Sequence, residues 1–195
     1  MQRISLVNIA HNLVREVLYP GDFAIDATVG NGHDTFFLVE QVSPSGRVFG
    51  FDIQQAAIDS TWLKMESCCN LSALTERLTL IQASHADMAE IIPAKYHGNI
   101  KACMFNLGYL PGGDKGIITQ TDSTVAALNI ASRMLSSNGI ITVMAYPGHK
   151  GGDLETNQVK IWCEQLDEDQ FKISIVYSSK NKESAPKLFV IRKTH

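Results

Sequence analysis

Residues 22–35 read Asp-Phe-Ala-Ile-Asp-Ala-Thr-Val-Gly-Asn-Gly-His-Asp-Thr. A short apolar run, Phe23-Ala24-Ile25, has the character of a buried strand. It ends in an acid, Asp26, and then in two glycines, Gly30 and Gly32. Phe36, Phe37, Leu38 and Val39 follow at helical spacing. Strand, glycine turn, helix is how an α/β sheet cradles a nucleotide-like ligand. A second acid, Asp52, closes the next apolar run, Val48-Phe49-Gly50-Phe51, and lies 20 residues past Gly32. That is the distance at which a carboxylate accepts both hydroxyls of a ribose.

The turn lacks the third glycine of a dinucleotide fingerprint. It also places Asp34 and Thr35 where a pyrophosphate needs a bare helix N-terminus. A ligand with a ribose and a cationic or zwitterionic tail suits it better than NAD, and S-adenosylmethionine is such a ligand. Asp26 and Asp34 are expected to attract its amino group and sulfonium centre. Asp26, Gly30, Gly32, Asp34 and Thr35 are therefore the turn's candidate cofactor contacts. An ordinary tight strand–helix turn is the alternative.

Working outward, helices are expected over 4–18, 33–42, 54–67, 87–92, 121–136 and 154–166, with 71–77 either a short helix or a loop. Strands are expected over 22–27, 47–52, 78–83, 101–107, 139–145, 171–177 and 187–192. Regular βα alternation followed by two consecutive strands implies an open, mostly parallel sheet with an antiparallel edge hairpin. The 195 residues suffice for one domain with a sizeable core, expected to span 1–195. The composition is that of a globular chain, with 45% hydrophobic and 19% charged residues. A net charge of −3 makes the chain no general magnet for nucleic acid, so any RNA contact needs a local basic patch. The N-terminal residues show neither a signal peptide nor a membrane span. Cys68, Cys69, Cys103 and Cys163 form no CxxC pair, which argues against a metal site and a disulfide framework. Core thiols in a reducing cytoplasm are expected.

Ligands of open α/β sheets bind beyond the carboxyl ends of the strands. The third such rim loop is Ser84-His85-Ala86-Asp87. Its hydroxyl and imidazole suit an adenine edge, although Ser84 or Asp87 also suits a helix cap. Gln54 is either an adenine or ribose contact or a solvated first-turn residue. The fourth rim loop, residues 106–116, holds four glycines in 11 residues. Asn106 offers an amide carbonyl to an amine, and Tyr109 offers a face on which a base can stack. The pair looks like the Asn-Pro-Pro-Tyr box of amino-group methyltransferases, with Leu-Gly in place of the prolines. The fifth loop brings Tyr146, His149 and Lys150 to the same rim. His11, His97 and His195 have no such company and read as ordinary solvated or packed residues.

Three stretches together carry a family resemblance: 26–35, Asn-Leu-Gly-Tyr-Leu-Pro-Gly-Gly-Asp-Lys at 106–115, and Ala-Tyr-Pro-Gly-His-Lys-Gly-Gly at 145–152. The chain resembles the putative rRNA methylase family of bacteria, small class I S-adenosylmethionine-dependent methyltransferases, over about residues 4–193. The resemblance implies a Rossmann-like, seven-stranded sheet with an antiparallel edge strand. It implies cofactor contacts at Asn31, Asp52, Gln54, Ser84 and His85. It further implies methylation of 5-aminomethyl-2-thiouridine at the wobble position of tRNA, and hence the anticodon loop as partner. Ribosomal RNA or a small-molecule amine is the other acceptor, and a nicotinamide oxidoreductase the rival enzyme class. A homodimer is expected, since relatives of the family are thought to pair. Lys150 departs from the acid expected in many relatives, which bears on RNA affinity rather than on chemistry.

Asn106 and Tyr109 are expected to hold the acceptor. Tyr146, His149 and Asp34 are the candidate proton acceptors for its amine. Lys115, Lys150, Lys180, Lys182, Lys187, Arg192 and Lys193 are the basic residues that could guide a phosphate backbone.

Overall fold

The computed structural model describes residues 5–68, 71–110, 112, 118–149, 151–178 and 183–194, without the side chains of 68 and 71–73. The elements run α1 (Leu6–Arg15), β1 (Phe23–Asp26), α2 (His33–Val42), β2 (Arg47–Asp52), α3 (Gln55–Cys68), α4 (Leu71–Arg77) and β3 (Leu78–Gln82). They continue α5 (Met88–Ile91), β4 (Ile100–Asn106), α6 (Thr121–Met134), β5 (Leu135–Ala145), α7 (Gly152–Glu164), β6 (Phe171–Tyr177) and β7 (Lys187–Lys193). Single 3-10 turns at His85–Asp87 and Ala94–Tyr96 flank α5.

The seven strands form one sheet in the order β3-β2-β1-β4-β5-β7-β6. β1 to β5 are mutually parallel, so their carboxyl ends share one rim. β7 runs antiparallel to both neighbours and enters between β5 and β6. Strand side chains alternate faces with period two, and the two cores follow that alternation. Phe49, Phe51, Cys103, Phe105, Ile141, Val143, Phe189 and Ile191 pack with Met88, Leu128, Ala131, Val159 and Trp162 of α5, α6 and α7. Val48, Ala102, Met104, Ile140, Leu188 and Val190 pack on the other face with Ala10, Val14, Leu38, Val42, Met65 and Leu74 of α1 to α4. Burial on both faces is why the central strands are apolar throughout.

Several boundaries differ from the sequence expectation. α1 ends at Arg15, because the N–H groups of Val17 and Leu18 both turn back to the Val14 carbonyl. α6 stops at Met134 and β5 begins at Leu135, four residues earlier than the expected 139. Leu135 already pairs with Ile100, and a register shift between Ile100 and Ala102 accommodates Asn138 at φ 58. Residues 71–77 are helical. Among the described residues no helix is long and apolar enough to cross a membrane.

Candidate active site

The strand ends open into a cavity of about 530 Å³, within the usual range for small-ligand sites. One wall comes from Thr28–Asn31, Asp52–Gln54 and Ala83–His85. The other comes from Asn106–Leu110, Ile118–Gln120, Tyr146 and His149.

The glycine turn is tied down by backbone bonds from Ala27 N–H to Met104 O (2.8 Å), Val29 N–H to Phe51 O (2.9 Å) and Gly32 N–H to Val29 O (2.8 Å). Gly32 precedes α2 at φ 72, and a Cβ there would lie 2.6 Å from Thr61 Oγ1. Only glycine meets both demands. Gly32 thus seats α3 against the turn and does not line the cavity, whereas Gly30 and Asn31 do.

The acids divide into different roles. Asp52 lies at the end of β2, where its Oδ2 accepts from Gly30 N–H (2.9 Å) and its Oδ1 from Gln54 N–H (2.9 Å). Each oxygen keeps a second lone pair for a further donor. Ile53 and Gln54 stand beside it on the cavity wall, Ile53 still 53% exposed. Asp26 is fully buried and does not line the cavity. Its Oδ2 accepts from Thr35 Oγ1 (2.6 Å) and its Oδ1 from Thr28 N–H (3.1 Å). Burial, and then the charge of Asp34, pushes its carboxyl up to about 7. Asp26 and Thr35 therefore brace the turn from beneath, and the expectation that Asp26 meets the cofactor's amino group directly is corrected on that ground.

Asp34 does line the cavity, and its Oδ1 lies 2.6 Å from His11 Nε2. His11 also stacks on Phe37 at a centroid distance of 4.0 Å. Local sequence does not single out His11, because its partner lies 23 residues away on another helix. On the third strand end, Ser84 takes its expected place as a cap. It lines the cavity and its Oγ accepts from Ala86 N–H (3.2 Å). His85 Nδ1 is 3.0 Å from Ala27 O, which assigns the proton to Nδ1. Burial lowers its pKa, so the ring is neutral near pH 7 and presents Nε2 as an acceptor.

Asn106 terminates β4, with its N–H on Thr28 Oγ1 at 2.7 Å, so the glycine turn and the loop after β4 are bonded together. Tyr109 is 39% exposed and stands edge-on to His149, with centroids 6.0 Å apart at 78°. Tyr146 is half-buried, and burial followed by Asp34's charge raises its phenol pKa. It stays protonated at neutral pH, which corrects its candidacy as proton acceptor and leaves it a hydrogen-bond donor.

The basic candidates separate by strand direction. Lys187 opposes Ala145 at the rim, but β7 then runs away from it. Arg192 lies at the far end, its guanidinium 2.6 Å from Glu16, and Lys193 Nζ donates to Leu135 O at 2.9 Å. Neither can guide a phosphate backbone at the cavity. Lys115, Lys150, Lys180 and Lys182 fall outside the described residues.

Sheet order, glycine turn and the acid at the end of β2 are together those of the class I, S-adenosylmethionine-dependent methyltransferases. Comparison with known proteins agrees. The sequence matches the putative rRNA methylase family over residues 48–192. It is 38% identical over 163 residues, 81% of this chain, to the chloroplastic tRNA (mnm(5)s(2)U34)-methyltransferase of Arabidopsis thaliana, and spans 58% of that protein's length. A putative rRNA-methylase from Clostridium thermocellum superposes with a TM-score of 0.89 at 36% identity, covering 99% of this chain and 100% of the other. A putative methyltransferase from Streptococcus mutans in complex with SAH superposes with a TM-score of 0.84 at 29% identity, covering 98% and 99%. The chain belongs to the putative rRNA methylase family.

Proposed function

We propose that the chain is an RNA methyltransferase that N-methylates the 5-aminomethyl group of wobble 5-aminomethyl-2-thiouridine in tRNA. The observation that carries this reading is one cavity lined by both the ribose-type acid Asp52 and the Asn106–Tyr109 pair. The 38% identity to a tRNA wobble-uridine enzyme supports the choice of acceptor.

The residues present fit the cofactor. Asp52, with lone pairs to spare on both oxygens, would take the ribose hydroxyls. Gln54, Ser84 and the neutral His85 would take the adenine edge, with Ile53 against its face. Asn31 and Asp34, on the same cavity wall, would take the amino-acid tail. When bound, S-adenosylmethionine supplies an electrophilic methyl group on a sulfonium that leaves as a neutral thioether.

No general acid is required for such a leaving group, so the chain's work is orientation. Holding an acceptor on the line of displacement contributes ~7–11 kcal/mol towards the barrier. Asn106 accepts hydrogens of the amine and so aims its lone pair. Tyr109 stacks on the base. The alkylamine acceptor arrives largely protonated and must give up one proton, to His149, to Asp34 or to solvent. A wobble base lies in a single-stranded loop and splays out at little unstacking cost.

The reading includes a cytoplasmic location, supported by the free, buried thiols of Cys103 and Cys163. It also includes a two-fold homodimer, since a chain of 21.4 kDa has little surface with which to grip a tRNA. Light scattering at micromolar concentration tests the dimer. Nucleoside mass analysis of tRNA and rRNA from cells lacking the gene tests the substrate. The reading expects 5-aminomethyl-2-thiouridine to accumulate in tRNA, and a methyl group lost from rRNA alone contradicts it.

A further inference from the structure

Glu155 sits in the first turn of α7 and is only 3% exposed. Burying a carboxylate costs several kcal/mol unless its oxygens are matched by donors. Both are matched, and both by threonine hydroxyls. Oε1 accepts from Thr124 Oγ1 of α6 at 2.7 Å, and Oε2 from Thr119 Oγ1 at 2.8 Å.

The Thr119 bond leads into the cavity. Thr119 lines it, and grips the peptide groups of Gly108 twice. Gly108 N–H donates to Thr119 Oγ1 (2.9 Å), while Thr119 N–H donates to Gly108 O (2.9 Å). Gly108 lies between Asn106 and Tyr109 at φ 121, a conformation side chains resist. Tyr109 then bridges to Ile118, the residue before Thr119.

An ionised carboxylate only accepts hydrogen bonds. Thr119's single hydroxyl proton must therefore point at Glu155, and its oxygen is left as the acceptor that Gly108 N–H requires. The polarity of the chain Gly108–Thr119–Glu155 is fixed from the carboxylate end. We propose that Glu155, acting through Thr119, is a positioning residue that sets the Gly108 backbone and with it the relative placement of Asn106 and Tyr109 around the methyl acceptor. The assignment rests on the methyl-transfer reading of the cavity and not on which RNA supplies the acceptor.

A side chain without acceptors at this position frees the Thr119 hydroxyl. Glu155→Leu is of similar size but accepts from neither threonine. Thr119→Val removes the relay while Glu155 keeps Thr124. Thr119→Ser keeps the hydroxyl and is the conservative rescue. For both Glu155→Leu and Thr119→Val, kcat on tRNA carrying the aminomethyl nucleoside should fall roughly 10- to 100-fold, the scale of a small misplacement. The affinity for SAH should stay within about twofold, and Thr119→Ser should recover most of the rate. Unchanged kcat, or a fall in cofactor affinity equal to the fall in rate, overturns the assignment. Amide hydrogen exchange supplies an arm that needs no RNA. Thr119→Val should speed exchange at Gly108 but not at Gly30 or Gln54. Unchanged protection at Gly108 also overturns the relay. A parent enzyme inert on that tRNA counts against the substrate reading alone, and the exchange arm then decides the relay.

Discussion

Replacing Asp26 with asparagine should flatten the dependence of folding stability on pH. In the native state the Asp26 carboxyl is held at about 7, against 3.8 for the unfolded chain, by burial first and by the charge of Asp34 second. Between those values the folded state keeps a proton that the unfolded state has lost. Stability from this group is therefore complete below 3.8, declines as pH rises, and is gone above 7. At about 1.4 kcal/mol per unit, the parent should lose roughly 3 kcal/mol between about pH 4.5 and 8. The introduced carboxamide cannot titrate, and its carbonyl can still accept from Thr28 N–H while Thr35 turns its hydroxyl to accept. Urea unfolding of parent and Asp26→Asn across that range isolates the term, because groups such as His85 contribute equally to both and cancel. The variant should lose ground to the parent at acidic pH and match or exceed it at pH 8. A difference in unfolding free energy that stays constant within about 1 kcal/mol across the range refutes the reasoning.

Three further outcomes follow from the site. Asp52→Ala should weaken binding of S-adenosylmethionine and SAH by roughly 1.5–3 kcal/mol, because a charge-assisted contact is lost. Calorimetry giving the parent's affinity in a folded variant removes Asp52 from the ribose. Gly32→Ala should lower the melting temperature, since its Cβ would sit 2.6 Å from Thr61 Oγ1 in a left-handed backbone conformation; an unchanged transition contradicts that packing. Tyr109→Ala should weaken RNA binding or positioning by ~1–3 kcal/mol, while Tyr109→Phe keeps its stacking face and should be milder. Equal losses in the two point to the hydroxyl instead.

What was legible in the sequence is what short stretches encode. Asp26, the glycine pair and Asp52 are ordered along the chain as they are ordered across β1, α2 and β2. Asn106 and Tyr109 sit on one strand end, three residues apart. The misread features depend on contacts between distant segments. Asp26 looked like a ligand contact because the sequence does not reveal that Thr28 and Thr35 enclose it. His11 meets Asp34 across 23 residues, and Glu155 meets Thr119 across 36. Arg192 and Lys193 looked available to RNA until the antiparallel direction of β7 carried them to the opposite end of the sheet. The early start of β5 needed the register shift opposite Asn138, which no local propensity announces.

N-methylation of the wobble aminomethyl group is tested most directly by incubating the purified chain with methyl-labelled S-adenosylmethionine and two matched tRNAs, one carrying 5-aminomethyl-2-thiouridine at the wobble position and one carrying uridine. One labelled methyl group is expected per molecule of the aminomethyl tRNA, recovered as the methylaminomethyl nucleoside, and none on the uridine tRNA. No label on the aminomethyl tRNA, or equal label on the two tRNAs, would contradict it.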